Sequence, residues 1–273
     1  MPSSAYSHDE TVAAITSYYK LVSKAHAIAR NSTLLHPPPE GWPELGRPEV
    51  AAGLGLSDEA MRLLRHIPYF EGSEAVQILP DVQPHSYIEP QRIELYAERG
   101  KRSSAAGDTD KAAGEGEKTQ KPPPHLVSLG CNAPEREYGH DVWLDTKRGI
   151  VLVGSYHDVQ PDIGVPEDGV FFSDDDDDGE EYENLFSEYG QKGSGRSWRV
   201  STFFATCGRT LRELVWMPGM DEGDEGWMLD QGESPYAILD YEERKRIMRS
   251  KGWPGDSWDP EAVAEEVDQL LLE

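Results

Sequence analysis

"GHDVWLDTKRGIVLV", residues 139–153, decides the fold. Val142, Trp143 and Leu144 make an extended apolar run that leads into Asp145, and Ile150 to Val153 supply a second one. Between them "DTKRG" has the composition of a hairpin connection, with Gly149 placed for a left-handed turn position. Asp145 has two readings: a carboxylate catalyst, or a turn residue whose side chain bonds nearby backbone amides. The second is preferred, because aspartate at a turn start is favoured for that local bonding. "HLVSLGC", residues 125–131, precedes the hairpin as a further strand, and together they form the sheet centre to which earlier strands would pair. Beyond it, "STFFATCGRTLRELVWMP" opens a helix at Ser201 and runs towards Pro218. Phe203, Phe204, Cys207, Leu211, Leu214 and Val215 give that helix a broad apolar side to lay on the sheet.

Working outward to the N-terminus, "SHDE" at residues 7–10 has the capping-box pattern. Val12, Ile15, Tyr19, Val22 and Ala29 follow at helical spacing, so a helix is expected to end near Asn31. "HPPPEGWPE", residues 36–44, is an extended connector in which Trp42 anchors the loop to the core. "LSDEAMRLLRHIPYF", residues 56–70, predicts a short helix capped by Ser57 and stopped at Ile67-Pro68. His66 at its end suits the helix dipole rather than catalysis. From Ala75 to Tyr96 the pattern turns to strand and loop, with Ile93 and Leu95 alternating with polar residues. Residues 100–124 contain no large apolar group that could offset the entropy of ordering, and are read as a disordered insert within the domain. The tail reads as an acidic loop at 219–233, a short strand "YAI" at 236–238, a charged helix from Asp240 and a last helix capped by Asp259 and Pro260.

Between the hairpin and the later helix stands "FFSDDDDDGEEYENLF", residues 171–186. Asp174, Asp176, Asp178 and Gly179 match the first half of an EF-hand calcium loop, yet the twelfth position is Leu185, which has no side-chain oxygen. The segment therefore reads as an acidic recognition element, part of a second disordered insert at about 174–196. Asp174, Asp175, Asp176, Asp177, Asp178, Glu180 and Glu181 are its candidate partner-binding residues. Ser173, followed directly by acids, is a candidate site for an acidophilic kinase.

The chain has 273 residues and a formal net charge of −25, which disfavours nucleic acid and anionic membranes and favours a protein partner with a basic surface. Cys131 and Cys207 are too few and too distant for a disulfide framework, so both are read as free thiols in a reducing compartment. No signal-peptide pattern and no run of membrane-spanning length is found; the cytoplasm is the expected location, with the nucleus as alternative. Signatures for phosphate-binding loops, nucleophile elbows, HExxH zinc sites and CxxC pairs are absent, so no catalytic residue, cofactor or metal is assigned. His140 with Asp141 and His157 with Asp158 are the best metal candidates, but neighbours on a strand point to opposite faces. "RKRIMRSK", residues 244–251, is the one basic island and is read as a solvated helix face paired with Glu242 and Glu243.

The order of "GWPE", "LLRHIPYF", "GHDVWLDTKRGIVLV" and "WRVSTFFATCGRTLREL" resembles the fungal cell-wall-assembly regulator family of the SUKH superfamily, over roughly residues 40–217. Gly139, Asp141, Leu144, Asp145 and Gly149 carry the likeness in the strand pair, and residues 201–204 carry it at the helix start. The resemblance implies a single α+β domain with a mixed or antiparallel sheet packed by helices. It also implies a non-enzymatic protein-binding or scaffold role in signalling or cell-wall regulation. The alternative is an intracellular, hydrolase-like enzyme whose site is assembled only in three dimensions.

Overall fold

A computed structural model describes residues 6–26, 33–72, 76–80, 82–105, 122–132, 140–155, 170–172, 194–218, 228–229 and 241–271. The first half of the chain contributes α1 (His8–His26), β1 (Thr33–Leu35), a 3-10 turn (Glu44–Gly46), α2 (Pro48–Leu54), α3 (Asp58–His66), β2 (Tyr69–Glu71), β3 (Val82–Pro84) and α4 (Pro90–Ala105). The second half adds β4 (Leu126–Asn132), β5 (His140–Asp145), β6 (Ile150–Ser155), β7 (Val170–Phe172), β8 (Ser194–Arg199) and α5 (Val200–Arg212). It closes with β9 (Met217–Pro218), β10 (Met228–Leu229), α6 (Tyr241–Ser250) and α7 (Pro260–Leu271).

β5 and β6 pair in register from His140 opposite Ser155 to Asp145 opposite Ile150, which is the hairpin that the alternation predicts. Gly149 closes it at a φ of 69°, a left-handed conformation that costs glycine little. The hairpin is the middle of a six-stranded sheet in the order β3-β4-β5-β6-β8-β7, and every pairing in it is antiparallel. Two further ribbons, β1 with β2 and β9 with β10, are also antiparallel. The chain is thus a single α+β domain.

Alternation along the strands sends Val127, Leu129, Val142, Leu144, Val151 and Val153 into the main core. Phe203, Phe204, Cys207 and Leu211 of α5 join them, and the Tyr18 ring of α1 sits 5.7 Å from that of Phe204. Leu126 and Leu152 form a smaller cluster with Trp143 and Ile150. At Gly130 a Cβ would come within 2.5 Å of the Gln83 carbonyl oxygen, so β3 approaches β4 closely only because this position is glycine.

α1 starts at His8 and α3 at Asp58, where the sequence places helices. The Ser7 carbonyl accepts the Thr11 amide at 3.0 Å, and Ile15, Tyr19 and Val22 are buried; Ala29 and Asn31 lie outside the described residues. Ser57 Oγ accepts the Ala60 amide at 3.3 Å. Trp42 ties its connector down by donating Nε1–H to the Ile67 carbonyl at 2.9 Å, and its ring lies tilted 6.0 Å from that of Tyr69. Asp259 Oδ1 caps α7 through the Ala262 amide at 3.0 Å.

Five expectations are corrected. Residues 90–105 are helical where Ile93 and Leu95 suggested a strand. Ile93 and Ala97, four apart, are buried while Leu95 is exposed, which is a helical stripe, and Pro90 suits a first helical position. α4 also orders 100–105, and Ser57 donates to the Pro124 carbonyl at 2.7 Å, so the proposed insert loses both ends and residues 106–121 lie outside the described residues. In the second insert, residues 194–196 are taken into β8 by pairing with Ser155, Gly154 and Val153, while 174–193 lie outside the description. α5 ends at Arg212, where Leu214 turns left-handed at a φ of 59°, and Met228–Leu229 of the supposed acidic loop forms a ribbon with Met217–Pro218. "YAI" lies outside the described residues. Among the described residues, no helix is long and apolar enough to cross a membrane.

Candidate functional site

The acidic candidates Ser173, Asp174, Asp175, Asp176, Asp177, Asp178, Glu180 and Glu181 lie outside the described residues, but their attachment points do not. Phe172 ends β7 opposite Gly195 of β8, and β7 is the outermost strand of the sheet. The acidic run therefore belongs to a connection whose two ends are held side by side at a sheet edge.

Asp145 is fully buried and is bound locally. Its Oδ1 accepts the amides of Lys147 at 2.7 Å and Arg148 at 2.9 Å, and its Oδ2 accepts the Arg148 guanidinium at 2.8 Å. This is the turn-forming role chosen over catalysis, since both oxygens serve the β5–β6 connection. His66 Nδ1–H donates to the Arg62 carbonyl at 2.8 Å, and its ring meets that of His8 edge-on at 5.3 Å. Burial first, then the charges of Arg62 and His66, pushes the His8 pKa down. Burial holds His140 at about 4. His157 and Asp158 lie outside the described residues, and among those described no group of three or more metal-ligating side chains converges. Cys207 is buried, and burial raises its thiol pKa; Cys131 is partly buried.

The basic island divides. Arg246 pairs with Glu243 at 2.7 Å and with Glu266 of α7 at 3.0 Å, and Lys251 reaches Glu266 at 2.9 Å. Arg244, expected on a solvated face, is instead buried, as are Ile247 and Met248 of the same helix, which join the core. Its stripe spacing with Ile247 and Met248, three and four residues on, places it on the apolar side of α6.

A second region assembles from segments far apart in sequence. α2 packs on α4, and beside this pair a half-open cleft of about 570 Å³ reaches Leu126 and Ser128 of β4 and Trp143 of β5. From α4 come Arg92, Tyr96 and Arg99, spaced four and three residues apart and so on one helix face. His85 and Tyr87 complete the wall. Tyr87 donates its hydroxyl to the Ser128 carbonyl at 2.9 Å, and its ring stacks with Tyr96 at 6.4 Å and 29°. His85 meets Tyr87 edge-on at 6.2 Å. Burial, and then the neighbouring Arg92 charge, lowers the His85 pKa to about 4, so the ring is neutral at pH 7. Arg92 is held by Glu89 at 2.9 Å. Reading residues 93–96 as a strand hid this grouping; the spacing of Arg92, Tyr96 and Arg99 was the signal that could have found it.

Comparison with protein-family models, curated proteins and solved structures finds no match to this chain.

Proposed function

We propose that this chain is a non-enzymatic, partner-binding regulatory module acting inside the cell, of the kind implied by its resemblance to the fungal cell-wall-assembly regulators. In this reading Asp174, Asp175, Asp176, Asp177, Asp178, Glu180 and Glu181 meet a basic surface on a partner protein, and phosphorylation of Ser173 strengthens that contact by adding about −1.5 to −2 charge. The observation that carries the proposal is the position of the run: it joins two paired strands at the outer edge of the sheet. Strand pairing fixes where the connection leaves and rejoins the sheet, and lengthening such a loop costs little extra closure entropy. Support also comes from Asp145 Oδ1 and His66 Nδ1, which are bound to the backbone around them.

The test is affinity capture from the source cell's extract with the full chain and with a variant in which Asp174, Asp175, Asp176, Asp177 and Asp178 are all Asn. Proteins held by the first and lost by the second are then purified and titrated directly. The proposal expects at least one such protein, binding more weakly as salt rises. Equal capture by both chains, or no direct binding by the purified candidates, contradicts it.

A further inference from the structure

We propose that the cleft between α2, α4 and the β4–β5 strands binds a small molecule carrying an oxyanion on a planar ring. The charge of its lining is the first argument. The chain has 51 acidic residues against 26 lysines and arginines, yet among the described residues the cleft is lined by Arg92 and Arg99 and by no carboxylate. A cleft lined by cations focuses field lines and raises the local concentration of anions.

The state of the two guanidinium groups is the second argument. Arg92 is anchored by Glu89 at 2.9 Å and so is held in place. Arg99, exposed one helical turn beyond Tyr96, has no hydrogen-bond or ion-pair partner among the described residues. A guanidinium offers a planar fork that matches the paired oxygens of a carboxylate or a phosphate ester.

The remaining walls specify the body of the ligand. Tyr96 and Trp143 are both only partly buried, so each leaves ring surface towards the cleft. Tyr87 behind Tyr96 fixes it by stacking, and His85 is neutral, so neither competes for the anion's partner. Flat aromatic surface beside a cation suits a flat ring with a charged substituent. At about 570 Å³ the cleft lies within the size range typical of small-molecule sites.

Calorimetry on the full chain tests this with four probes: 2-naphthoate, 2-naphthyl phosphate, 2-naphthalenemethanol and inorganic phosphate. Either naphthyl anion should bind one to one, about tenfold or more tighter than the neutral alcohol and than inorganic phosphate, because ring and charge each contribute. The tighter of the two anions identifies the oxyanion as carboxylate or phosphate ester. Arg99→Gln should weaken the preferred anion by about tenfold while leaving the alcohol and the melting temperature unchanged, as expected for loss of a charged hydrogen-bond donor at an exposed position. Arg99→Lys, which keeps charge but loses the fork, should fall between. The proposal is overturned if neither anion saturates, if the alcohol binds as tightly as the anions, or if Arg99→Gln binds both anions like the unaltered chain. The Asn variant of the acidic run should bind the probes as the unaltered chain does, which keeps this result separate from the partner-binding test.

Discussion

Two regions attached to the six-stranded sheet differ in the sign of their charged residues: the cleft beside β4 and β5, and the sequence that connects β7 to β8. Beside β4 and β5, the cleft presents Arg92 and Arg99, and no carboxylate is among the described residues that line it. At the β7–β8 end, the connecting residues hold five consecutive aspartates. A net charge of −25 therefore describes neither region, and the difference teaches that local sign, not the total, selects what each region attracts. Both regions rest on the same hydrophobic core, in which the β5–β6 hairpin meets α5 and α1.

The largest expected effect probes that shared support. Phe203 is almost fully buried, touching Trp198 at 5.6 Å and Phe204 at 5.2 Å between ring centroids. Phe203→Ala should cost about 3–5 kcal/mol and lower the melting temperature in one cooperative transition. Two separate transitions, only one of them shifted, would break the comparison by making the regions independent units.

Next in size is the turn between the central strands. Asp145→Ala removes the acceptor of two backbone amides and of the Arg148 guanidinium, for an expected loss of about 1–3 kcal/mol by chemical denaturation. Asp145→Asn, which keeps one carbonyl oxygen for the amides, should lose less. Equal losses would show that the charge towards Arg148, rather than the turn bonding, matters.

The pH response is smaller per group and sharpens the contrast from the cleft side. His26, His85 and His140 are all held at about 4 by burial, against 6.5 for the ordinary side chain. Their folded pKa is depressed, so between pH 4 and 6.5 the unfolded chain binds more protons, and stability falls as pH falls through that window. Each group contributes up to about 1.4 kcal/mol per pH unit there. Thermal melts should thus show lower stability at pH 5 than at pH 7, and His85→Gln should reduce the difference. A melting temperature that rises on acidification would mean that relief of carboxylate repulsion outweighs the buried imidazoles.

How legible each region was in the sequence depends on how local its signals are. The hairpin could be read because Asp145 and Gly149 supply turn chemistry between two uninterrupted apolar runs, and α3 because Ser57 and Pro68 mark its limits. α4 was hidden because Ile93, Glu94 and Leu95 alternate over too few residues to separate a strand from one turn of a helix. α2 was passed over because its seven residues lie between Pro48 and Gly55, in a stretch rich in small residues. The cleft was beyond reach for a different reason: its walls come from residues 52–56, 85–99, 122–128 and 143, and only folding brings them together. Composition alone revealed the acidic run, and the strand pairing of its ends then located its attachment.

The central claim, that the acidic connection binds a partner from the sheet edge without supporting the fold, is tested most directly by one paired measurement. Partner affinity and melting temperature are determined for the unaltered chain and for the variant with Asn at positions 174–178. The account predicts partner affinity lowered by about tenfold or more, with the melting temperature unchanged, since solvated charges stabilise folds little while complementary charges across an interface matter for recognition. Retained affinity, or a variant that melts well below the unaltered chain, would contradict it.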